Sequence, residues 1–215
     1  VVTIHYSPAA LGAGNSSTRL RAALTAGTLA DPGLADALIA RCAIEPDFFV
    51  RDMLTWALTR LPADITVPKL VTELRSGRAR ARGQALHTLS KIGDRTAWPA
   101  ITRSLLHDPD DEVARSAWRA AVVLVPPAER ANLAAELAVQ LGRGDRTVQL
   151  SLSRALVALG DAAALRPRLG HPDPGVRAHA RATQRLLHDP DAGFDLAVDE
   201  AKRIVALGPE RSTAC

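Results

Sequence analysis

The phrase HPDPGVRAHA at 171–180 has two close echoes upstream, EPDFFVRDML at 45–54 and DPDDEVARSA at 108–117. Each sets a proline and an acid in a turn, then an apolar residue, then a helix-like run. Taking that apolar or small residue as an anchor gives Leu20, Val50, Ala81, Val113, Val148 and Val176, at spacings of 30, 31, 32, 35 and 28. Self-similarity at such a period implies stacked supersecondary units, each unable to bury its apolar face alone.

Three positions before the anchors stand Ser17, Asp47, Arg78, Asp110, Asp145 and Asp173. All but Arg78 have a side-chain oxygen that can accept the free N–H groups of a first helical turn. Pro46, Pro109 and Pro172 precede three of them, where an incoming helix must have stopped. One position after the anchors stand Arg21, Arg51, Arg82, Ala114, Gln149 and Arg177, which lets Asp47 meet Arg51 and Asp173 meet Arg177 four residues on. Apolar residues four and eleven beyond most anchors, such as Leu54 with Leu61 and Leu152 with Leu159, complete a stripe at helical period. Pro62, Gly93, Pro126–Pro127 and Gly160 stop these inner helices. Shorter apolar runs at 34–42, 66–74, 97–106 and 133–141 predict outer helices. One unit is thus an outer helix, a tight turn and an inner helix, and the expected units run 5–31, 32–62, 63–94, 95–127, 128–161 and 162–188. A capping helix over 193–208 and a polar tail over 209–215 complete a single solenoid spanning 1–215.

These features resemble the HEAT-repeat family, in the short-repeat form seen in phycobilisome lyases. The resemblance rests on Pro68 and Pro99 in the outer helices, the turn acids Asp47, Asp110, Asp145 and Asp173, the anchors and the arginines that follow them. It covers about residues 17–188. It implies an all-α fold, an α-solenoid of about six HEAT-like helical hairpins in a right-handed superhelix. It says little of activity, because such repeats serve as scaffolds, adaptors and occasionally enzymes.

Composition agrees with close helix packing. Apolar residues make up 47% of the 215 and aromatics only 3%, so small and medium side chains fill the core. The strand-like opening VVTIHY is an exception. Net charge is +4, too modest to imply nucleic-acid binding by itself. Cys42 and Cys215 give neither a disulfide framework nor zinc spacing; Cys42 is expected to be buried and Cys215 exposed. Neither a membrane span nor a basic-then-apolar leader is visible, and the chain begins at Val1 without a methionine, which leaves open whether residues precede it. Cytoplasm is the expected compartment.

Inner helices of such stacks line the concave side. With anchor, +4, +7, +8 and +11 inward, the positions +2, +5, +6 and +9 point outward at 100° per residue. The +6 column reads Ala26, Trp56, His87, Arg119, Arg154 and Ala182. With helices roughly 8–10 Å apart, Trp56, His87, Arg119 and Arg154 are expected to form a row on the order of 30 Å long. Asp52 and Arg115 flank it, and Trp118, Arg181 and Arg185 lie near its other edge. An aromatic at one end and arginines at the other suit an acidic or amphipathic protein or peptide. The competing reading for Trp56 is simple packing on a neighbouring helix. Arg75, Arg78, Arg80 and Arg82 crowd one turn, where they could grip phosphate or merely be solvated.

No catalytic residue, metal or cofactor is expected. Deoxyhypusine hydroxylases with HEAT-like repeats bind iron through His-Glu pairs, and no such dipeptide occurs; His107–Asp108 and His188–Asp189 sit in turns about 80 residues apart. The enzymatic alternative is a resemblance to alkylpurine DNA glycosylases with HEAT-like repeats, carried by Asp52 and Trp56 with Arg115, Arg119 and Arg154 nearby. Their double-tryptophan signature is missing. The sequence therefore points to a non-enzymatic protein- or peptide-binding scaffold, with nucleic-acid binding as the alternative.

Overall fold

A computed structural model of the chain describes residues 8–189. The opening VVTIHY, the 193–208 helix, the polar tail and Cys215 lie outside the described residues. Within them the chain is an all-α solenoid of helical hairpins, with no strand. It forms two compact units that divide between Leu124 and Val125.

In the first unit α1 (Ser16–Leu29), α3 (Phe48–Thr59), α5 (Ala79–Ile92) and α7 (Asp111–Leu124) pack side by side in chain order. The outer helices α2 (Ala35–Cys42), α4 (Ala63–Glu73) and α6 (Arg103–Leu106) pack on α3, α5 and α7 respectively. In the second unit α8 (Arg130–Ala138) packs on α9 (Arg146–Leu159), while α9 and α10 (Arg166–Leu169) pack on α11 (Pro174–His188). The outer segment expected over 97–106 is not one helix. It is a 3-10 turn, Arg95–Ala100, then a break at Ile101–Thr102 before α6. Pro99 has no N–H to offer an α-helical ladder and its ring crowds the preceding turn.

Asp47, Asp145 and Asp173 cap α3, α9 and α11 by accepting first-turn amides, and Asp110 does the same for Glu112 and Val113 at the start of α7. The first unit departs from the expected register. Asn15, not Ser17, caps α1, accepting from the amides of Ser17 and Thr18. The anchor therefore moves from Leu20 to Thr18, and the repeat arginine is Arg19 rather than Arg21.

The arginine column does not pair with the cap acids as the spacing suggested. It closes the turn instead. Arg51 donates to the carbonyls of Glu45 and Pro46, at 3.0 and 2.7 Å. Arg19 does the same to Ala13 and Gly14, Arg82 to Ser76, and Arg177 to His171 and Pro172. Gln149 takes the same place, donating to the Gly144 carbonyl. These carbonyls end the preceding segment and have no helical partner, so the side chain supplies the missing donor. Two arginines reach one repeat further: Arg19 forms a bidentate pair with Glu45, and Arg82 with Asp108. Glu45 also accepts from Arg41 and from the Asp47 amide, and its own carbonyl accepts from Arg80.

The inward stripe is wider than expected. Besides the anchor, +4, +7, +8 and +11, the +5 residues Ala23, Thr55, Leu86, Trp118 and Ser153 are buried. At Thr55 and Ser153 the reason is lateral packing between inner helices of one unit. Thr55 lies 3.5 Å from Thr88, and Ser153 hydrogen-bonds Thr183 at 2.7 Å, so +5 of one helix meets +7 of the next.

His179 on α11 is a buried residue that the repeat columns do not mark. Its Nδ1 accepts the Gly142 amide at 2.9 Å, so Nε2 carries the proton, within 3.0 Å of the Gln149 carbonyl and Ser153 Oγ. Burial pushes the imidazole down to about 4, against a hydrogen bond it donates to the Gln149 carbonyl, which favours protonation. Because the folded value lies below the unfolded one, the unfolded chain binds the proton first as pH falls. His179 should thus contribute fully above pH about 6.5 and lose roughly 3 kcal/mol of its contribution as pH falls to 4. Urea unfolding across that range checks this: the wild-type slope should flatten in His179→Gln, and equal slopes would refute it.

Candidate functional site

The outward faces of α3, α5 and α7 enclose an open cleft of about 510 Å³ in the first unit. Its middle helix contributes Gly83 at the +2 position, so the floor is bare backbone where other helices place a side chain. A Cβ there would meet only Val113, at 3.8 Å or more, so close packing does not demand the glycine. Phe48 at the start of α3 lines the cleft, as do His87 of α5 and Arg119 of α7, each six positions past its anchor.

The cleft carries three arginines, Arg51, Arg80 and Arg119, and three carboxylates, Asp52, Asp110 and Glu112. Most are engaged. Arg51 and Arg80 donate to turn carbonyls, Asp110 caps α7, and Glu112 pairs with Arg115. Arg119 makes no hydrogen bond or ion pair among the described residues, and the His87 ring and Asp52 carboxylate make none either. Burial, then Arg119 and Lys91, push the His87 pKa below its usual value, while Asp52 opposes them. These neighbours favour the neutral imidazole, and Arg119 is close enough to act on it.

The sequence-predicted residues separate into groups. Asp52, His87 and Arg119 come together in the cleft. Trp56 is in the same outward column, 37% exposed, but its ring lies on α1: a Cβ on Gly27 would sit 2.2 Å from it. The helix-packing reading therefore accounts for one face of Trp56. Arg115 is half-buried, held by Glu112, with its Nε unpartnered. Trp118 is not offered outward at all. It is 0% exposed and its Nε1 donates to the Leu106 carbonyl at 2.9 Å, because it occupies the +5 position. Arg154 holds the +6 position of α9 in the second unit, where Arg181 and Arg185 are exposed on α11. Ala26 leaves the column once α1 is re-registered, and exposed Leu24 takes its place.

The arginine-rich turn also divides. Arg82 is committed to Asp108 and Ser76, and Arg80 to the Glu45 carbonyl; Arg75 and Arg78 are exposed. A four-arginine phosphate grip is thus reduced to two residues. Among the described residues no three His, Cys, Asp or Glu side chains are grouped to hold a metal ion, and no helix is long and apolar enough to cross a membrane.

Phe48 and Phe49 escaped the column reading. They are 65% and 70% exposed, and their rings meet edge to face at 5.6 Å, with the Arg51 guanidinium over Phe48. They sit two and one positions before the anchor, about 160° and 260° round the helix from it at 100° per residue. In a chain with 3% aromatics, a pair placed on the outward arc of a first turn was the available signal.

No protein-family model matches the chain, and no curated protein matches it. Solved structures do. An engineered protein is 19% identical with a TM-score of 0.47, over 86% of this chain and 97% of that one. A second engineered protein is 21% identical with a TM-score of 0.46, over 90% and 95%. The complex of CpcE and CpcF of phycocyanin lyase from Nostoc sp. PCC7120 is 20% identical with a TM-score of 0.38, over 94% and 96%. At these values the likenesses decide neither family nor function. The helical hairpins themselves define the fold.

Proposed function

We propose that the protein is a HEAT-like, non-enzymatic interaction module of the cytoplasm that binds another protein or peptide in the cleft between α3, α5 and α7. The observation that carries this reading is the cleft's make-up. Gly83 and the exposed Phe48 line the cleft, with equal numbers of arginines and carboxylates. Balanced charge with aromatic anchors suits an amphipathic peptide, whose apolar side chains supply area and whose polar ones set register. A polyanion would meet Asp52, Asp110 and Glu112 as it approached, which weighs against nucleic acid as the ligand of this cleft.

Gly83→Arg tests the reading. The position tolerates a Cβ, so the variant should fold with nearly unchanged thermal stability while its side chain fills the floor. A protein recovered reproducibly from native lysate by the wild-type chain, and resistant to nuclease, should be lost with Gly83→Arg and kept with a substitution at exposed Val139 in the second unit. Equal recovery by wild type and Gly83→Arg would overturn the cleft as the docking site. Recovery abolished by nuclease would favour the nucleic-acid alternative, which Arg75→Ala with Arg78→Ala would then probe.

A further inference from the structure

The cleft's unengaged groups limit what its occupant can present there. Arg119 is charged and has no partner among the described residues, and the half-buried His87 ring has no hydrogen-bond partner either. The two come from neighbouring helices at the same repeat position, line the same cleft and are close enough for Arg119 to act on the His87 ring. Arg119 is exposed and His87 half-buried, so water serves both in the free protein and both are open to a ligand. A guanidinium and an imidazole N–H can donate to the same acceptor.

We infer that the part of the cleft between His87 and Arg119 is a seat for a single carboxylate of the docked peptide. This rests on the cleft being the docking site and adds the chemistry of its ligand. A carboxylate is singled out by the neighbouring charges. Asp52 from α3 and Glu112 from α7 line the same cleft, so an anion with one negative charge is accepted and a second charge is repelled. Phosphate, with more charge and a larger oxygen shell, is disfavoured. The apolar residue beside the acid would meet Phe48, which lines the same cleft.

Bound carboxylate also changes the imidazole. In the free protein Arg119 and Lys91 oppose its protonation and Asp52 favours it. An added negative charge on the seat shifts that balance toward the imidazolium, so binding takes up protons and tightens as pH falls toward the imidazole's range.

The test uses the full chain, with the His87 ring followed by NMR at constant ionic strength. Three probes are titrated: N-acetyl-phenylalanine, whose carboxylate is terminal; N-acetyl-phenylalanyl-glutamate with its C-terminus amidated, whose carboxylate is on the side chain; and N-acetyl-phenylalanine amide, which has none. At least one carboxylate probe should move the His87 signals saturably and raise the ring's titration midpoint, and which one does so identifies the carboxylate's source. The neutral amide should not. Arg119→Gln should weaken the response roughly tenfold or more, the scale of one charged hydrogen bond. Equal binding of the neutral amide, an unaltered response in Arg119→Gln, no saturable shift with any probe, or inorganic phosphate binding as well as the carboxylates would overturn the seat. If Gly83→Arg abolishes partner recovery while Arg119→Gln and His87→Gln leave it intact, the docking site stands and the carboxylate seat falls. If the probes bind but Gly83→Arg leaves recovery unchanged, the seat stands apart from partner docking.

Discussion

Glu45→Ala should cost about 3–5 kcal/mol, more than any other single loss of a polar side chain in the first unit. Glu45 is 0% exposed and receives Arg19 in a bidentate pair, Arg41 and the Asp47 amide. Removing it leaves two guanidinium groups, one buried and one half-buried, with no counter-charge, and the Asp47 amide without its acceptor. Burial alone would raise the carboxyl's pKa, but the Arg19 hydrogen bond, the Asp47 amide and Arg41 outweigh it and hold the group at about 2. The folded value is below the unfolded one, so the contribution is present above pH about 4.5 and is lost as pH falls toward 2. Urea unfolding at pH 7 measures the loss in Glu45→Ala. In the wild type alone, acid titration should remove a comparable amount. A loss under about 1 kcal/mol would mean that the cluster behaves like a surface ion pair.

Trp118→Ala should destabilise by a similar amount, about 3–5 kcal/mol, for a different reason. Trp118 is the largest fully buried side chain of the described core. Truncation opens a cavity between α6 and α7 and leaves the Leu106 carbonyl without the indole donor. Trp118→Phe keeps most of the ring volume and removes the donor, so it should cost less than half as much. Equal losses in the two variants would assign the effect to the hydrogen bond rather than to packing. A neutral Trp118→Ala would contradict the buried placement.

Both residues show how far the sequence could be read. The turn signals were legible because a cap needs a side-chain oxygen in a fixed place, and Asp47, Asp110, Asp145 and Asp173 supply it at the repeat period. The first unit was misread by two residues. Ser17 and Leu20 imitate a cap and an anchor, while the true pair, Asn15 and Thr18, puts a polar residue where the other units have an apolar or small one. The arginine column was visible, but its role was not. Four-residue spacing suggests a pair on one helix face, whereas the chain before the cap brings free carbonyls closer still. The four-residue spacing of Arg41 and Glu45 was a local signal for one ion pair, but the bidentate partner Arg19 lies 26 residues away and reaches Glu45 only once α1 packs in the stack.

The outward column was legible where a single helix decides exposure and failed where a neighbour does. A helical wheel treats +5 as half-outward. In a stack that flank faces a neighbouring helix, the next inner helix for Thr55 and Ser153 and α6 for Trp118, so all three are hidden. His87 and Arg119, at +6, escape this and remain at the cleft. Gly83 was passed over because an absent side chain gives no signal in a column of side chains, yet it creates the space that the neighbours line.

The register that hides Trp118 and offers Trp56 underlies both the hairpin stack and the cleft, and iodide quenching of single-tryptophan variants tests it most directly. With Trp56 and Trp98 replaced by Phe, the fluorescence of Trp118 should be nearly insensitive to iodide until the chain is unfolded. With Trp98 and Trp118 replaced instead, Trp56 should be quenched in the folded chain. If native Trp118 is quenched as readily as it is in denaturant, or if Trp56 is fully shielded, the inner helices are rotated from this register and the cleft between α3, α5 and α7 does not exist as described.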